Sequence, residues 1–363
     1  MRLQRKLAPL LFTFAACSRT APPVTSLPNP APSFVAPASA SAAHLTGVPL
    51  ALPGANGPAA LDFIFYEAGR ARVWVPAGST GSVDVFDSAR GAFTQIPGFK
   101  TEEREAHGRK RIVGPSSGSI GEPFAYVGNR AGHQICPIEL TTLKPAPCVE
   151  VPSAPDGVQY VAQARELWVT LPKDNSIAIL DAANPPELKP KDTFKLDGAP
   201  ECYALDERGG TFFTNLEDKD RTLAIDVKTR KITATWSPQC GPEGPRGIAF
   251  DATDALVIVA CTDHVQVLDV AHGGAPLGRF DTGAGLDAID YVNDTHLLYA
   301  AAGKAQRLSV LRVNKAGQLA LVAEGATAEG ARNAVADAHG NVYVADSERA
   351  RVLVFRGGPS ERP

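Results

Sequence analysis

Seven short stretches of alternating residues recur along this chain, each centred on one large apolar side chain. They are Val73-Trp74-Val75, Ala125-Tyr126-Val127, Leu167-Trp168-Val169, Phe212-Phe213-Thr214, Val257-Ile258-Val259, Leu298-Tyr299-Ala300 and Val342-Tyr343-Val344. Their centres are separated by 52, 42, 45, 45, 41 and 44 residues. Short β-branched and aromatic runs between Gly- and Asp-containing turns predict strands. A further strand follows six of the centres at a similar distance, at Val83/Val85, Ile177/Ile179, Leu223/Ile225, Val265/Val267, Leu308/Val310 and Val352/Val354. Several of these end in Asp (Asp87, Asp181, Asp226, Asp269), whose carboxylate can cap its own turn. An outer strand then follows, as at Ile232–Trp236 and Leu319–Ala323. The last unit reads most clearly: a strand over Asn333–Asp337, a turn through Gly340, a strand over Asn341–Ala345, a polar turn, and a strand over Arg351–Phe355.

A repeat of about 40–45 residues built of short strands predicts a β-propeller. Seven units make this an all-β, seven-bladed ring. The seventh unit has no outer strand, because only Arg-Gly-Gly-Pro-Ser-Glu-Arg-Pro follows Phe355. An open sheet edge is an aggregation hazard. Gly47–Gly54 precedes the first unit without a partner there, and its end resembles the outer strand Leu319–Gly325. It is therefore expected to complete blade seven and close the ring, with Pro49 tolerated on an outermost strand.

The seventh unit, Asn341-Val-Tyr-Val-Ala345 followed by Arg351-Val-Leu-Val-Phe355, resembles an NHL repeat. The set of seven resembles the YVTN-type bacterial seven-bladed propellers over residues 47–357. The second unit departs most from the pattern, since Lys100–Gly121 carries extra charged, Gly and Ser residues.

The N-terminus follows a different pattern. Arg2, Arg5 and Lys6 precede an apolar run from Leu7 to Ala16. Such a run predicts a secretory signal over 1–16, too short for a permanent membrane span. Phe14-Ala15-Ala16-Cys17 resembles a bacterial lipoprotein cleavage box, with Phe14 where that family usually has Leu. The resemblance implies lipidation of Cys17. Ser18 stands where the inner-membrane retention signal has Asp, so the implied address is the outer membrane, facing the periplasm or the cell surface. Residues 17–46 are rich in Pro, Ala, Ser and Thr and read as a semi-extended tether; 358–363 read as a disordered tail.

Composition narrows the partners. Hydrophobic residues at 44% and charged residues at 21% are ordinary for a globular chain. The net charge is −3 overall and −6 without Arg2, Arg5 and Lys6 (33 basic against 39 acidic residues). There is no basic stripe, and Arg109-Lys110-Arg111 reads as a solvated loop, so nucleic acid is not an expected partner. Five cysteines remain beyond Cys17. In an oxidising compartment Cys136 with Cys148, across the third and fourth strands of blade two, and Cys240 with Cys261 are candidate disulfides. Cys202 could compete for Cys240.

The chain offers little catalytic chemistry. Its seven histidines have no metal-ligand spacing, so neither a resident metal nor another cofactor is expected. Gly114-Pro115-Ser116-Ser117-Gly118 matches Gly-x-Ser-x-Gly, but no helix pattern follows it, so it does not read as a nucleophile elbow. One constellation stands out. Twelve residues before the centres lie Asp62, Asp156, Glu201, Arg246 and Asp287, and eleven before the last lies Arg332. Equivalent positions in a propeller form a ring, and these begin the innermost strands. They are expected to surround the channel mouth as a mixed-charge binding site, with Arg246 beside Glu201. The expected function is a lipid-anchored envelope binding or scaffold protein, its partner a protein, a peptide or a small ligand. The alternative is a lactonase- or gluconolactonase-like hydrolase with Ca or another divalent cation in the channel, which Arg246 and Arg332 oppose.

Overall fold

Each of the seven central residues lies on the second strand of an antiparallel sheet, and the seven sheets form a ring around an axial channel. The structure is a computed structural model describing residues 42–358 apart from 107 and 108. The signal segment, Cys17, the tether up to residue 41 and the tail from 359 lie outside the described residues. Six sheets have four strands and the sixth blade has five, so the chain is a seven-bladed β-propeller. Trp74, Tyr126, Trp168, Phe213, Ile258, Tyr299 and Tyr343 are all buried. Both faces of each blade pack against a neighbour. Trp168, Ile177 and Ile179 of blade three, for example, meet Phe212, Leu216 and Ile225 of blade four in one apolar layer. That is why these strands carry apolar residues on both faces rather than on one.

The Asp residues that end the third strands cap their turns as expected. The Asp87 carboxylate accepts from the Ala89 and Arg90 amides at 3.0 and 2.9 Å, and Asp181, Asp226 and Asp269 accept likewise from Ala183, Thr229 and His272. Two of the three tryptophans are bridged to buried carboxylates: Trp74 Nε1 donates to Glu67 at 2.8 Å and Trp168 Nε1 to Glu166 at 3.0 Å.

The ring is closed by the N-terminal strand Gly47–Ala51, which pairs antiparallel with Arg351–Phe355 as the outer strand of blade seven. Pro49 lies opposite Leu353 on this outermost strand. The closure extends further than the sequence suggested. Ala43–Leu45, assigned above to the tether, forms a short parallel strand on Leu319–Ala326 of blade six. The folded region therefore begins before residue 47. The cause is a shared apolar seam, in which Leu45 is buried with Tyr299, Ala323 and Phe355 between blades six and seven. Gly47 and Gly325 leave room for the Phe355 ring, since a Cβ at either would lie 2.7 Å from it.

The irregular second unit resolves into two parts. Its innermost strand is Pro115–Gly121, and the extra charged residues form a separate hairpin, Glu102–Ala106 with Arg109–Val113, inserted between blades one and two. Lys110 pairs with Glu103 across this hairpin at 2.7 Å.

Cys136, on the third strand of blade two, is bonded to Cys148 just before the outer strand, closing a 12-residue separation. Cys240 is bonded to Cys261, and this link ties the connection leaving blade four to the second strand of blade five. Cys202 is free and buried. Replacing both Cys136 and Cys148 by Ala is expected to lower stability by up to about 3 kcal/mol on the loop-entropy model. Thermal melts under oxidising and reducing conditions check this; a variant that melts with oxidised wild type would show the bond to be energetically idle.

Candidate functional site

The innermost strands start at one face of the ring, and there the six predicted residues come together. Backbone irregularity helps place them. The ladder between the first and second strands is bulged near Glu201, Arg246 and Asp287 in blades four, five and six. In blade two the ladder slips between Gly128 and Asn129, leaving Ser116 as the extra residue. A bulge re-aims side chains locally, and bulges concentrate beside sites of function. Asparagines lock neighbouring blades at the same level: Asn215 donates to the carbonyls of Arg246 and Gly247 at 2.7 and 3.1 Å, and Asn333 donates to the Asp62 carbonyl.

The charges pair differently from the expectation. Arg246 does not bridge to Glu201; it binds the carboxylate of Glu217. Gly244 runs so close to the Glu217 carbonyl that no Cβ fits between them, which brings Arg246 alongside Glu217. Glu201 accepts no side-chain hydrogen bond and makes no ion pair among the described residues. Arg332 spans Asp62 and Asp287 at 3.5 and 3.2 Å. Arg130, which the twelve-residue offset did not reach, is shared by Asp62, at 2.5 Å, and Asp156.

Both missed residues had a signal. Arg130 lies four residues after Tyr126, and Glu217 four after Phe213. The second strand runs antiparallel to the first, so its end returns to the face where the first began. Counting forward as well as back gives a second set of mouth positions. At the backward offset the second unit supplies Gly114, whose carbonyl accepts from the Arg130 amide at 2.9 Å.

These contacts divide the ring electrostatically. Burial disfavours the Asp62 carboxylate, but Arg130 and Arg332 outweigh it and hold the pKa below the usual 3.8. Asp156 shares Arg130 with Asp62 and has no second cation. Burial together with the charge on Asp62 pushes it up to about 6, against the pull of Arg130. Burial also raises Asp287 in spite of Arg332. Glu201 is raised well above 4.5, first by burial and then by the acidic charges of Asp156, Asp287 and Glu217.

This has a stability consequence. A carboxyl raised in the folded state releases its proton at lower pH when unfolded, so stability falls as pH rises from about 4.5 toward the folded pKa. Glu201→Gln removes that loss. The melting-temperature gain of the variant over wild type is expected to grow from pH 5 to pH 8, as read by circular dichroism; a constant difference would rule out a raised Glu201 carboxyl.

A cavity of about 540 Å³ lies at this face over blades one, two and seven. Its wall includes Asp62, Ser116, Arg130 and Arg332, and the inserted hairpin contributes Lys110 and Arg111. The Ser116 hydroxyl is buried without a hydrogen-bond partner. Because Ser116 lies on a strand, the Gly-x-Ser-x-Gly match is not a nucleophile elbow. A second cavity, of about 580 Å³, is the axial channel, lined by innermost strands around Gln159, Tyr203, Ile248 and Asp290.

Among the described residues, one group of three places possible metal ligands close together: Asp251, Asp254 and His296. It lies where the innermost strand of blade five ends, away from the mouth. Asp251 is already engaged there by the Thr253 and Asp254 amides and by the Tyr291 hydroxyl at 2.5 Å.

Comparison with known proteins supports this architecture. No protein-family model matches the chain, and no curated protein matches its sequence. Solved structures do match in fold. Virginiamycin B lyase from Staphylococcus aureus is 13% identical with a TM-score of 0.65, over 86% of this chain and 99% of that one. The RRP9 WD40 repeats are 11% identical with a TM-score of 0.68, over 85% and 96%. Hydrazine synthase of Kuenenia stuttgartiensis is 13% identical with a TM-score of 0.66, over 90% and 98%. At such identities the likeness is one of fold: the chain is a seven-bladed β-propeller.

Proposed function

We propose that this protein is a binding or scaffold protein of the bacterial cell envelope, tethered by lipid at Cys17, that captures its ligand at the channel mouth. The observation that carries this reading is the mouth itself. Charged residues from successive blades converge there on bulged strands, and Glu201 is left without a partner. Buried polar groups ordinarily find partners, and the Ser116 hydroxyl, buried without one in the cavity wall, marks a place for a ligand. Solved propellers of this fold include WD40 repeats and a chain of the mitotic checkpoint complex, and the rigid ring with variable loops suits such a role.

The test is capture from the native envelope, comparing wild type with Arg246→Ala and Glu201→Ala. A partner retained by wild type and lost from both variants, while their melting temperatures hold, supports the reading. Equal capture by all three rules out the mouth. Lipid attachment has its own check: Cys17→Ser is expected to release the protein from membranes and abolish fatty-acid labelling, and unchanged labelling would refute it.

The lactonase-like alternative draws less support. A divalent cation site needs several oxygen ligands converging on one point. The mouth carboxylates do not gather in that way, and Arg130, Arg246 and Arg332 stand among them.

A further inference from the structure

The mouth is polar in a directional sense. On the side of blades one, two and seven, the cavity wall carries Arg130, Arg332, Lys110 and Arg111 against Asp62 and Glu348. Asp62 is spent on two of those arginines. On the other side Glu201 stands alone, and the charges that act on it most are the acidic groups of Asp156, Asp287 and Glu217. Asp156 is 6% exposed, and one of its carboxylate oxygens, Oδ2, is buried with no hydrogen-bond partner. Within the protein, the nearby cations are already committed: Arg130 to Asp62 and Asp156, Arg246 to Glu217, and Arg332 to Asp62 and Asp287.

What Glu201 lacks is a positive hydrogen-bond donor. A metal ion is a poor fit, because the oxygens are not gathered around one point. An ammonium group fits better, with three donors that can reach separate acceptors. On the opposite wall Arg111 makes no ion pair among the described residues, so that wall suits an anionic group, which arginine binds in a fixed geometry. Resting on the reading above, we propose that the channel mouth binds a zwitterionic ligand of the amino-acid or short-peptide class. Its ammonium group lodges at Glu201 between Asp156 and Asp287. Its carboxylate lies toward Arg111 and the hairpin wall. The cavity on the cationic side falls within the size range of small-ligand pockets.

The inference predicts a proton signature. Burial and the neighbouring acids favour the protonated form of Glu201, and as the counter-ion of the bound ammonium it gives up that proton to buffer. The probe is a mixed-sequence pool of tripeptides in three forms: unmodified, N-acetylated and C-amidated. Binding is read by saturation-transfer NMR, with calorimetry of the best free tripeptide in two buffers of different ionisation enthalpy. The expected result is binding of the free form, at least tenfold weaker binding after N-acetylation, and a smaller loss after amidation. Buffer-dependent heat is expected to report proton release. In Glu201→Gln, isosteric and folded by its melt, the preference for a free amine and the proton release are both expected to vanish. Equal binding of free and N-acetylated pools, or no binding of any pool at millimolar concentration, overturns the inference. If no pool binds but an envelope partner is still captured in an Arg246-dependent way, the binding-protein reading stands and the zwitterion assignment alone is lost.

Discussion

Removing residues up to 41 is expected to leave the melting temperature of the protein unchanged, whereas removing residues up to 54 is expected to unfold or aggregate it. The difference is the N-terminal strap. Gly47–Ala51 supplies the whole outer strand of blade seven. Leu45 and Leu52 are both buried, the first between blades six and seven and the second against blade seven's Val352 and Val354. Each buried leucine contributes about 2–3 kcal/mol. Loss of the ladder would also bare the edge of Arg351–Phe355 to pairing with other chains. The combined loss is comparable with the whole stability of a typical protein, about 5–15 kcal/mol. Removal up to 46 separates the two contributions: it takes away the parallel strand and Leu45 but leaves the blade-seven closure, so an intermediate melt is expected. Thermal denaturation with light scattering reads all three truncations. Coincident melts for the truncations at 41 and 54 would show that the strap does not close the ring.

Arg130→Ala is expected to cost about 3–5 kcal/mol at pH 8, the range for stripping one partner from a buried ion pair. Arg130 holds Asp62 and Asp156 together, and both carboxylates are largely buried. Asp62 keeps Arg332, but Asp156 is left with no cation. Its carboxylate already titrates near 6 with Arg130 present, and loss of the guanidinium moves it higher. The variant's deficit is therefore expected to shrink as the pH is lowered from 8 to 5, because protonation removes the uncompensated charge. Arg130→Ala combined with Asp156→Asn is expected to recover part of the loss at pH 8. Urea denaturation at both pH values gives these differences. A loss below about 1 kcal/mol would place Arg130 among the weak surface pairs, and a deficit independent of pH would assign its role to packing.

If both results hold, the mouth is rigid where Arg130 and Arg332 clamp its acidic residues and unsatisfied where Glu201 faces three other acids. That combination suits recognition, since the frame is organised before the ligand arrives.

Much of the fold was legible in the chain because a propeller repeats one local pattern. Each blade alternates strands and turns within about 45 residues, so Trp74, Tyr126, Trp168 and their counterparts announce the blades, and Asp87, Asp181, Asp226 and Asp269 announce the turns. The closure of blade seven by Gly47–Ala51 was equally visible, since that segment has no partner in the first unit. The ring of Asp62, Asp156, Glu201, Arg246, Asp287 and Arg332 followed from counting back along equivalent positions.

Three matters were not legible, because the strand pairing, the place of the inserted hairpin at the mouth and the pairing of its charges depend on contacts between segments distant in sequence. Ala43–Leu45 looks like tether because its composition is that of a tether, and its strand exists through pairing with Leu319–Ala326, some 275 residues away. The surplus charge in Lys100–Val113 gave no sign that it folds into a hairpin lining the mouth. The pairing of the ring was hidden as well. Arg246 and Glu201 sit at matching offsets in adjacent blades, yet Arg246 turns to Glu217 at the end of the neighbouring second strand, and Arg130 arrives from a position that a backward count never visits. Strand periodicity is written locally and repeats with the chain. Which charge meets which is set by how seven blades close around one axis, where residues from different repeats compete for the same few ångströms.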